Sequence, residues 1–97
     1  GAPKLVLVKV MLFATFRRKY KIKELSVECN GTLQNLIENA SKILGPEFIS
    51  DIYDLKQGKV REDLIFIING RNLKDLKGEI ILKEGDVIAV FPPIAGG

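Results

Sequence analysis

The stretch KLVLVKVMLFATF, residues 4–16, predicts a long first strand, because its alternating positions form two different faces. The odd positions are interrupted by Lys9, so we expect the odd face on the solvent side and the even face in the core. On this interpretation Met11 and Phe13 lie on the outside of the sheet. The even positions are all apolar: Val6, Val8, Val10, Leu12 and Ala14.

The residues that follow predict a turn and then a second strand. RRKY, residues 17–20, should contain the turn, and YKIKELSVEC, residues 20–29, should form the strand. The alternation slips near Lys23 and Glu24, which indicates a bulge or another irregularity of the strand at that point.

The clearest helix signal comes next. Thr32 is placed to be an N-cap, and apolar residues at three- and four-residue spacing predict a helix over residues 33–44. These residues are Leu33, Leu36, Ile37, Ala40, Ile43 and Leu44. Gly45 can take the left-handed terminating conformation, and Pro46 then blocks continuation of the helix.

The remaining chain predicts an irregular insertion and further strands. Residues 46–63 could contain one or two short helical turns, followed by an exposed loop at residues 56–63. LIFIING, residues 64–70, predicts a third strand, and its Asn69-Gly70 pair is a strong tight-turn signal before a short strand. DVIAVF, residues 86–91, predicts the last strand.

This order of elements predicts an α+β fold of the β-grasp, or ubiquitin-like, type. We expect a mixed sheet with one main helix packed on one face and the apolar first and last strands side by side in the middle. Since one helix covers only one face, the other face should stay open to water or to a partner. Residues 1–91 would form this domain, and residues 92–97 a flexible tail.

The composition excludes several functions and favours a carrier or binding module. Hydrophobic residues make up 46% of the chain and charged residues 28%, which is typical of a globular protein. Without His and with one Cys, zinc sites and His-dependent nucleophiles are disfavoured. No phosphate-binding glycine motif, membrane-length apolar run or signal-peptide pattern occurs, so we expect a cytoplasmic protein without a membrane partner.

The stretch VFPPIAGG, residues 90–97, suggests a tail with its own chemistry. Pro92 and Pro93 lack an N–H, so they end the strand and direct the chain away from the sheet. Gly96 and Gly97 have no Cβ and can enter a narrow channel. Residues 92–97 could reach roughly 20 Å, enough to carry a terminal carboxylate into another protein's active site.

An ionised carboxylate can attack the α-phosphate of ATP to give an acyl-adenylate. A sulfur donor can convert that adenylate to a thiocarboxylate, or a thiol and then an amine can take the acyl group. This chain would supply only the reacting carboxyl group of Gly97. The activating enzyme would use the ATP and supply magnesium and positioning, so we expect no bound cofactor here.

The tail FPPIAGG, the preceding LKEGDVIAV and the element order resemble the small subunit of molybdopterin synthase, the MoaD family of ubiquitin-like sulfur carriers. The resemblance implies that Gly97 is adenylated by a ubiquitin-activating-enzyme-like (MoeB-like) adenylyltransferase and converted to a thiocarboxylate. It implies further that the tail inserts into a MoaE-like large subunit, where sulfur passes to a pterin precursor. The chain would then be a non-catalytic sulfur-donor subunit.

The resemblance also implies a partner surface. Phe91 matches the aromatic residue before the two prolines, Phe13 an aromatic residue late in the first strand, and Leu73 an apolar residue after the Asn-Gly turn. Arg17 would contact an acidic partner surface, where such a charge steers association. Two departures from the pattern are the long stretch at residues 46–63 and the basic segment at residues 17–23.

Other interpretations stay open. The chain could be a ubiquitin-like modifier joined to lysines of other proteins through Gly97, since the chemistry is shared up to the adenylate. It could also be a binding module that is never activated. The basic RRKYKIK segment with Tyr20 could contact nucleic acid, although the net charge is only +3 and we expect no such partner. Cys29 fits a small buried residue better than a reactive thiol.

Overall fold

The computed structural model describes residues 4–93. Its strands are β1 (Val6–Leu12), β2 (Glu24–Cys29), β3 (Tyr53–Asp54), β4 (Lys59–Val60), β5 (Ile65–Ile68), β6 (Arg71–Asn72) and β7 (Val87–Phe91). Its helices are α1 (Ala14–Tyr20), α2 (Leu33–Leu44) and α3 (Glu47–Ile52), with a 3₁₀ turn at Leu73–Asp75. None of the helices in this part of the chain has the length and apolar character needed to cross a bilayer.

The first and last strands lie side by side in the middle of the main sheet, as the sequence predicted. The sheet has five strands in the order β2-β1-β7-β5-β6, and β1 and β7 run parallel. The β1–β2, β5–β7 and β5–β6 pairs are antiparallel. A parallel pair requires a long crossover, and the chain between β1 and β7 supplies α2 for it. The element order and this central pair are those of the predicted β-grasp fold.

The two faces of β1 differ as its alternation predicted. Val8, Val10 and Leu12 are buried, whereas Leu7 and Lys9 on the other face are exposed. The buried face packs with α2 and α3 in one hydrophobic core, to which β2, β5 and β7 also contribute every second residue. The opposite surface, which carries the odd positions of β1, is called the outer face below.

Helix α2 has the predicted bounds and cap. The backbone N–H of Asn35 donates to Oγ1 of Thr32 at 3.1 Å, which satisfies one of the free N–H groups of the first turn. Gly45 ends the helix with φ 119° and ψ 155°, a conformation open to glycine but different from the left-handed one expected. Ile43, one of the apolar residues of the helical pattern, is 60% exposed.

The prediction is wrong for residues 13–20. β1 ends at Leu12, and α1 replaces the expected end of the strand and the expected turn. Ala14, expected in the core, is exposed and has a left-handed backbone with φ 53°, while Phe16 is buried in its place. No side chain caps the N-terminus of α1. The sequence therefore carried no N-cap signal for the start of a helix within the strand-like pattern.

The irregularity expected near Lys23 and Glu24 has a different cause. Lys21 ends α1 in the left-handed conformation, and β2 begins only at Glu24. From Glu24 to Cys29, β2 pairs with β1 one residue to one, so it has no bulge there. The slip in the alternation therefore marks the exit from a helix.

The insertion at residues 46–63 forms α3 and a short hairpin of β3 and β4. The region expected to be an exposed loop thus contains a strand, and Val60 in that strand is buried.

The predicted tight turn at Asn69 and Gly70 is confirmed. Both residues have positive φ, of 50° and 83°, and they join β5 directly to β6.

Candidate partner-binding site at the root of the tail

The parallel pairing of β1 with β7 brings two aromatic residues together. Leu12 lies opposite Val90, so Phe13 and Phe91 follow side by side at the carboxyl ends of the two central strands. The N–H of Phe13 donates to the carbonyl of Val90 at 3.2 Å, which fixes the spacing of the two chains. The two rings stack with centroids 4.3 Å apart and an angle of 12° between their planes, and both side chains are half-buried.

Arg17 of α1 joins this pair. Its guanidinium carbon lies 5.0 Å from the centre of the Phe13 ring, within the range of a cation–π interaction. Its Nε–H donates to the carbonyl of Leu12 at 3.0 Å, which directs the side chain back toward the end of β1. The structure therefore brings Phe13, Phe91 and Arg17 into one cluster.

The chain leaves the sheet at this cluster. β7 ends at Phe91, because Pro92 and Pro93 have no N–H to continue the ladder. Pro92 is half-buried and Pro93 is exposed. We call Phe13, Arg17, Phe91, Pro92 and Pro93 the tail root. Gly96 and Gly97, the predicted reacting end, lie outside the described residues, and the predicted boundary between domain and tail stays a prediction.

Next to the tail root, the outer face of the sheet forms an apolar surface. Met11, Ala89 and Ile67 lie in one row across β1, β7 and β5. Ile65 lies opposite Phe91 in the neighbouring row. All these side chains are half-buried, so they offer apolar contact area to a partner. This agrees with the expected open face of the sheet.

Leu73 lies elsewhere. It is in the 3₁₀ turn, half-buried against the core, and it lines a cavity of about 560 Å³ together with Leu64 and Phe66. Leu64 and Phe66 are buried core residues, so this cavity belongs to the helix side of the sheet. The structure does not bring Leu73 together with Phe13 and Phe91, and its role at a partner surface stays a prediction.

A polar cluster that was not predicted from the sequence connects α1 to α3. The Tyr20 hydroxyl donates to Oδ2 of Asp51 at 2.5 Å, and Nζ of Lys19 lies 2.7 Å from the same oxygen and 3.4 Å from Glu47. Burial, followed by the hydrogen bond to Asp51, raises the pKa of Tyr20 above its usual range. The four-residue spacing of Phe16 and Tyr20 was the signal that could have revealed α1, and with it this cluster.

The described residues hold one free thiol, that of Cys29. They contain no cluster of three or more acidic or Cys side chains arranged to hold a metal ion. Cys29 is fully buried, and that burial raises the pKa of its thiol, which keeps it in the unreactive protonated form. The tail root itself offers aromatic rings and one cationic side chain for contact with a partner.

Comparison with known proteins assigns the family. Residues 10–97 match the ThiS family. The chain belongs to the ThiS family. A curated relative, the molybdopterin synthase sulfur carrier subunit of Drosophila melanogaster, is 31% identical over 74 residues, which cover 74% of this chain and 81% of the relative.

Solved structures agree with this ThiS-family assignment and confirm the β-grasp fold. Small archaeal modifier protein 1 of Methanosarcina acetivorans is 26% identical with a TM-score of 0.76, covering 97% of this chain and 99% of that protein. A Pyrococcus furiosus protein described as molybdopterin converting factor, subunit 1, is 31% identical with a TM-score of 0.62, covering 92% and 99%. The resemblance to ubiquitin-like sulfur carriers seen in the sequence is thus confirmed.

Proposed function

We propose that this ThiS-family chain is the sulfur-carrier subunit of a molybdopterin synthase and donates sulfur from a thiocarboxylate on Gly97. The observation that carries the proposal is the stacked pair of Phe13 and Phe91, placed where Pro92 and Pro93 end the sheet. A rigid aromatic anchor at the point of exit lets a partner hold the body of the carrier while the tail enters its active site. The relatives named as sulfur carrier subunits support the same function.

The proposed chemistry has two steps. A carboxylate oxygen of Gly97 attacks the α-phosphate of ATP, and pyrophosphate leaves, to give an acyl-adenylate. Hydrosulfide supplied by a sulfide donor then attacks the acyl carbon, AMP leaves, and loss of a proton yields the thiocarboxylate. ATP and magnesium belong to the activating enzyme, which supplies charge stabilisation and positioning.

Two partners would use the same surface in turn. One is a ubiquitin-activating-enzyme-like (MoeB-like) adenylyltransferase, and the other is a MoaE-like large subunit that binds the pterin precursor. Burial of each of the side chains of Phe13, Phe91 and Met11 would contribute about 1.5–3 kcal/mol to the binding free energy. The cost of ordering the two surfaces must be subtracted from this gain. The positive charge of Arg17 would select partners with acidic groups beside the aromatic contact.

Intact-protein mass spectrometry tests the proposal. The protein is incubated with ATP, the adenylyltransferase from the same genome and a sulfide donor, and the C-terminal peptide is then sequenced. Replacement of one oxygen by sulfur at Gly97 is the expected result. An unchanged mass, when the same enzyme modifies another carrier in a parallel reaction, would contradict the proposal.

A second candidate function is protein modification, and one comparison favours it. The Methanosarcina acetivorans protein that covers 97% of this chain is named a small archaeal modifier. Conjugation would use the same adenylate but end in an isopeptide bond from Gly97 to a lysine. Digestion of cellular protein and detection of lysines that carry the C-terminal remnant of this chain would support it, and a search that finds none would count against it.

A further inference from the structure

Helix α1 carries Arg17, yet it has few means of holding its own position. It has only seven residues, below the length at which an isolated helix is stable in water. No side chain caps its N-terminus, and Ala14 and Lys21 at its two ends have left-handed backbones. Its orientation must therefore come from tertiary contacts.

Two sets of tertiary contacts supply it: the side chain of Phe16 is buried in the core, and the last turn of α1 contacts α3. The ring of Tyr20 meets Phe48 of α3 edge to face at 5.5 Å, and its hydroxyl donates to Asp51. Lys19 bonds the same carboxylate, which is largely shielded from solvent at 22% side-chain exposure. We call Lys19, Tyr20 and Asp51 the clasp. Arg61 Nη1 also donates to the Asp51 carbonyl at 3.4 Å, which ties the end of α3 to the chain after β4.

We propose that the clasp is a positioning device for the tail root. Arg17 precedes Tyr20 by three residues, about one helical turn, so a change in the tilt of α1 at Tyr20 moves the guanidinium relative to Phe13. The clasp holds that tilt, and it thereby keeps Arg17 over the ring that stacks on Phe91. The inserted segment at residues 46–63, which supplies Asp51, thus acts on the partner surface without touching a partner.

The consequence for binding rests on the proposed function. A pre-arranged Arg17 loses less freedom when a partner binds than one that must first be ordered. Loss of the clasp should therefore weaken binding of the large subunit by about 3- to 10-fold, the range expected for immobilising one long side chain. Tyr20, Lys19 and Asp51 are positioning residues and take no part in the sulfur chemistry.

The experiment compares Tyr20→Phe and Asp51→Asn with the unmodified protein. Tyr20→Phe keeps the ring on Phe48 and removes only the hydroxyl, and Asp51→Asn keeps an acceptor but removes the charge that Lys19 meets. NMR follows hydrogen exchange at the Arg17 Nε–H, and binding is measured with the MoaE-like subunit from the same genome. Glu62→Gln, which breaks an exposed ion pair on the β3–β4 hairpin, is the control for loss of a salt bridge.

We expect faster exchange at Arg17 and weaker binding in both clasp variants, with neither change in Glu62→Gln. Ile37→Val, a core change in α2, controls for lost stability, since it should lower the melting temperature without altering the Arg17 signal. Unchanged exchange at Arg17 in Tyr20→Phe and Asp51→Asn would overturn the proposal.

Phe91→Ala in the same binding assay separates the two hypotheses. If it abolishes binding while the clasp variants bind normally, the clasp has no positioning role and the proposed function stands. If Phe91→Ala binds normally, the proposed partner surface is wrong, and exchange at Arg17 still decides whether the clasp orients it.

Discussion

Phe13 and Phe91, from opposite ends of the chain, stack their rings 4.3 Å apart at the point where the sheet ends. Each ring by itself would be a half-exposed aromatic residue at the end of a strand. Stacked, they restrict each other's rotamers and form a flat apolar platform beside Pro92. This relationship makes the exit of the tail a defined feature of the fold, and the first prediction tests it.

Phe91→Ala should weaken binding of both proposed partners by at least about 10-fold, because it removes a central aromatic contact and leaves Phe13 without its neighbour. Surface plasmon resonance with the large subunit measures the loss. Leu55→Ala is the matched control, since Leu55 is 71% exposed on the β3–β4 hairpin, away from the tail root. Equal losses in the two variants would contradict a specific surface.

Arg17→Ala should slow association with the partners several-fold at low salt, with a smaller effect at high salt, because screening weakens a steering charge. Stopped-flow association rates at two ionic strengths provide the test. Lys42→Ala removes an exposed charge at the end of α2 and should leave the rate unchanged. A salt-independent effect of Arg17→Ala would indicate that the residue acts by packing rather than by steering.

Tyr20 should make stability fall at alkaline pH. Burial and the bond to Asp51 raise its pKa, so above about pH 10 the unfolded chain loses this proton while the folded protein retains it. The contribution of Tyr20 to the free energy of unfolding is fully present below that pH and declines above it. The decline is at most about 1.4 kcal/mol per pH unit, and it is smaller for a partly solvated group. Urea unfolding at several pH values should show that the free energy of unfolding declines less steeply at alkaline pH in Tyr20→Phe than in the unmodified protein. If the two proteins lose stability in parallel, Tyr20 is not the group responsible.

Gly31→Ala should destabilise the fold by roughly 2–3 kcal/mol. Its φ is 97°, and an added Cβ would lie 3.3 Å from the carbonyl oxygen of Leu82, a buried residue whose N–H donates to Gly31. Gly58→Ala is the control, because Gly58 also has positive φ but nothing within 4 Å of the added atom. Thermal unfolding should show the larger loss for Gly31→Ala, and equal losses would mean that only the backbone conformation matters.

Deletion of Gly97 should abolish adenylation and sulfur loading while leaving the melting temperature within about 1 °C. The described residues that form the buried core lie between Val8 and Val90, so we expect the shortened chain to fold. Pyrophosphate release by the adenylyltransferase measures activation. Normal release from the shortened chain would show that the enzyme does not act on Gly97.

Much of the framework followed from the sequence by itself. The two-residue period of residues 4–12, the cap at Thr32 and the Asn69-Gly70 turn each have a local physical cause, so the sheet, the main helix and the hairpin were predictable. The tail motif and the element order indicated the sulfur-carrier family, and the comparisons confirm it. Phe13 was assigned to the outside by the parity of its strand, and Phe91 was assigned to the partner surface by resemblance.

Tertiary structure alone decided the rest. Helix α1 has only seven residues and no side-chain cap, so it exists because Phe16 is buried and Tyr20 reaches Asp51, contacts between segments far apart in the chain. The stack of Phe13 on Phe91 likewise required the register of β1 on β7, since parity assigns a face but cannot align two strands. Local periodicity thus determined the central strands and the main helix, whereas long-range packing determined α1 and which side chains meet at the tail root.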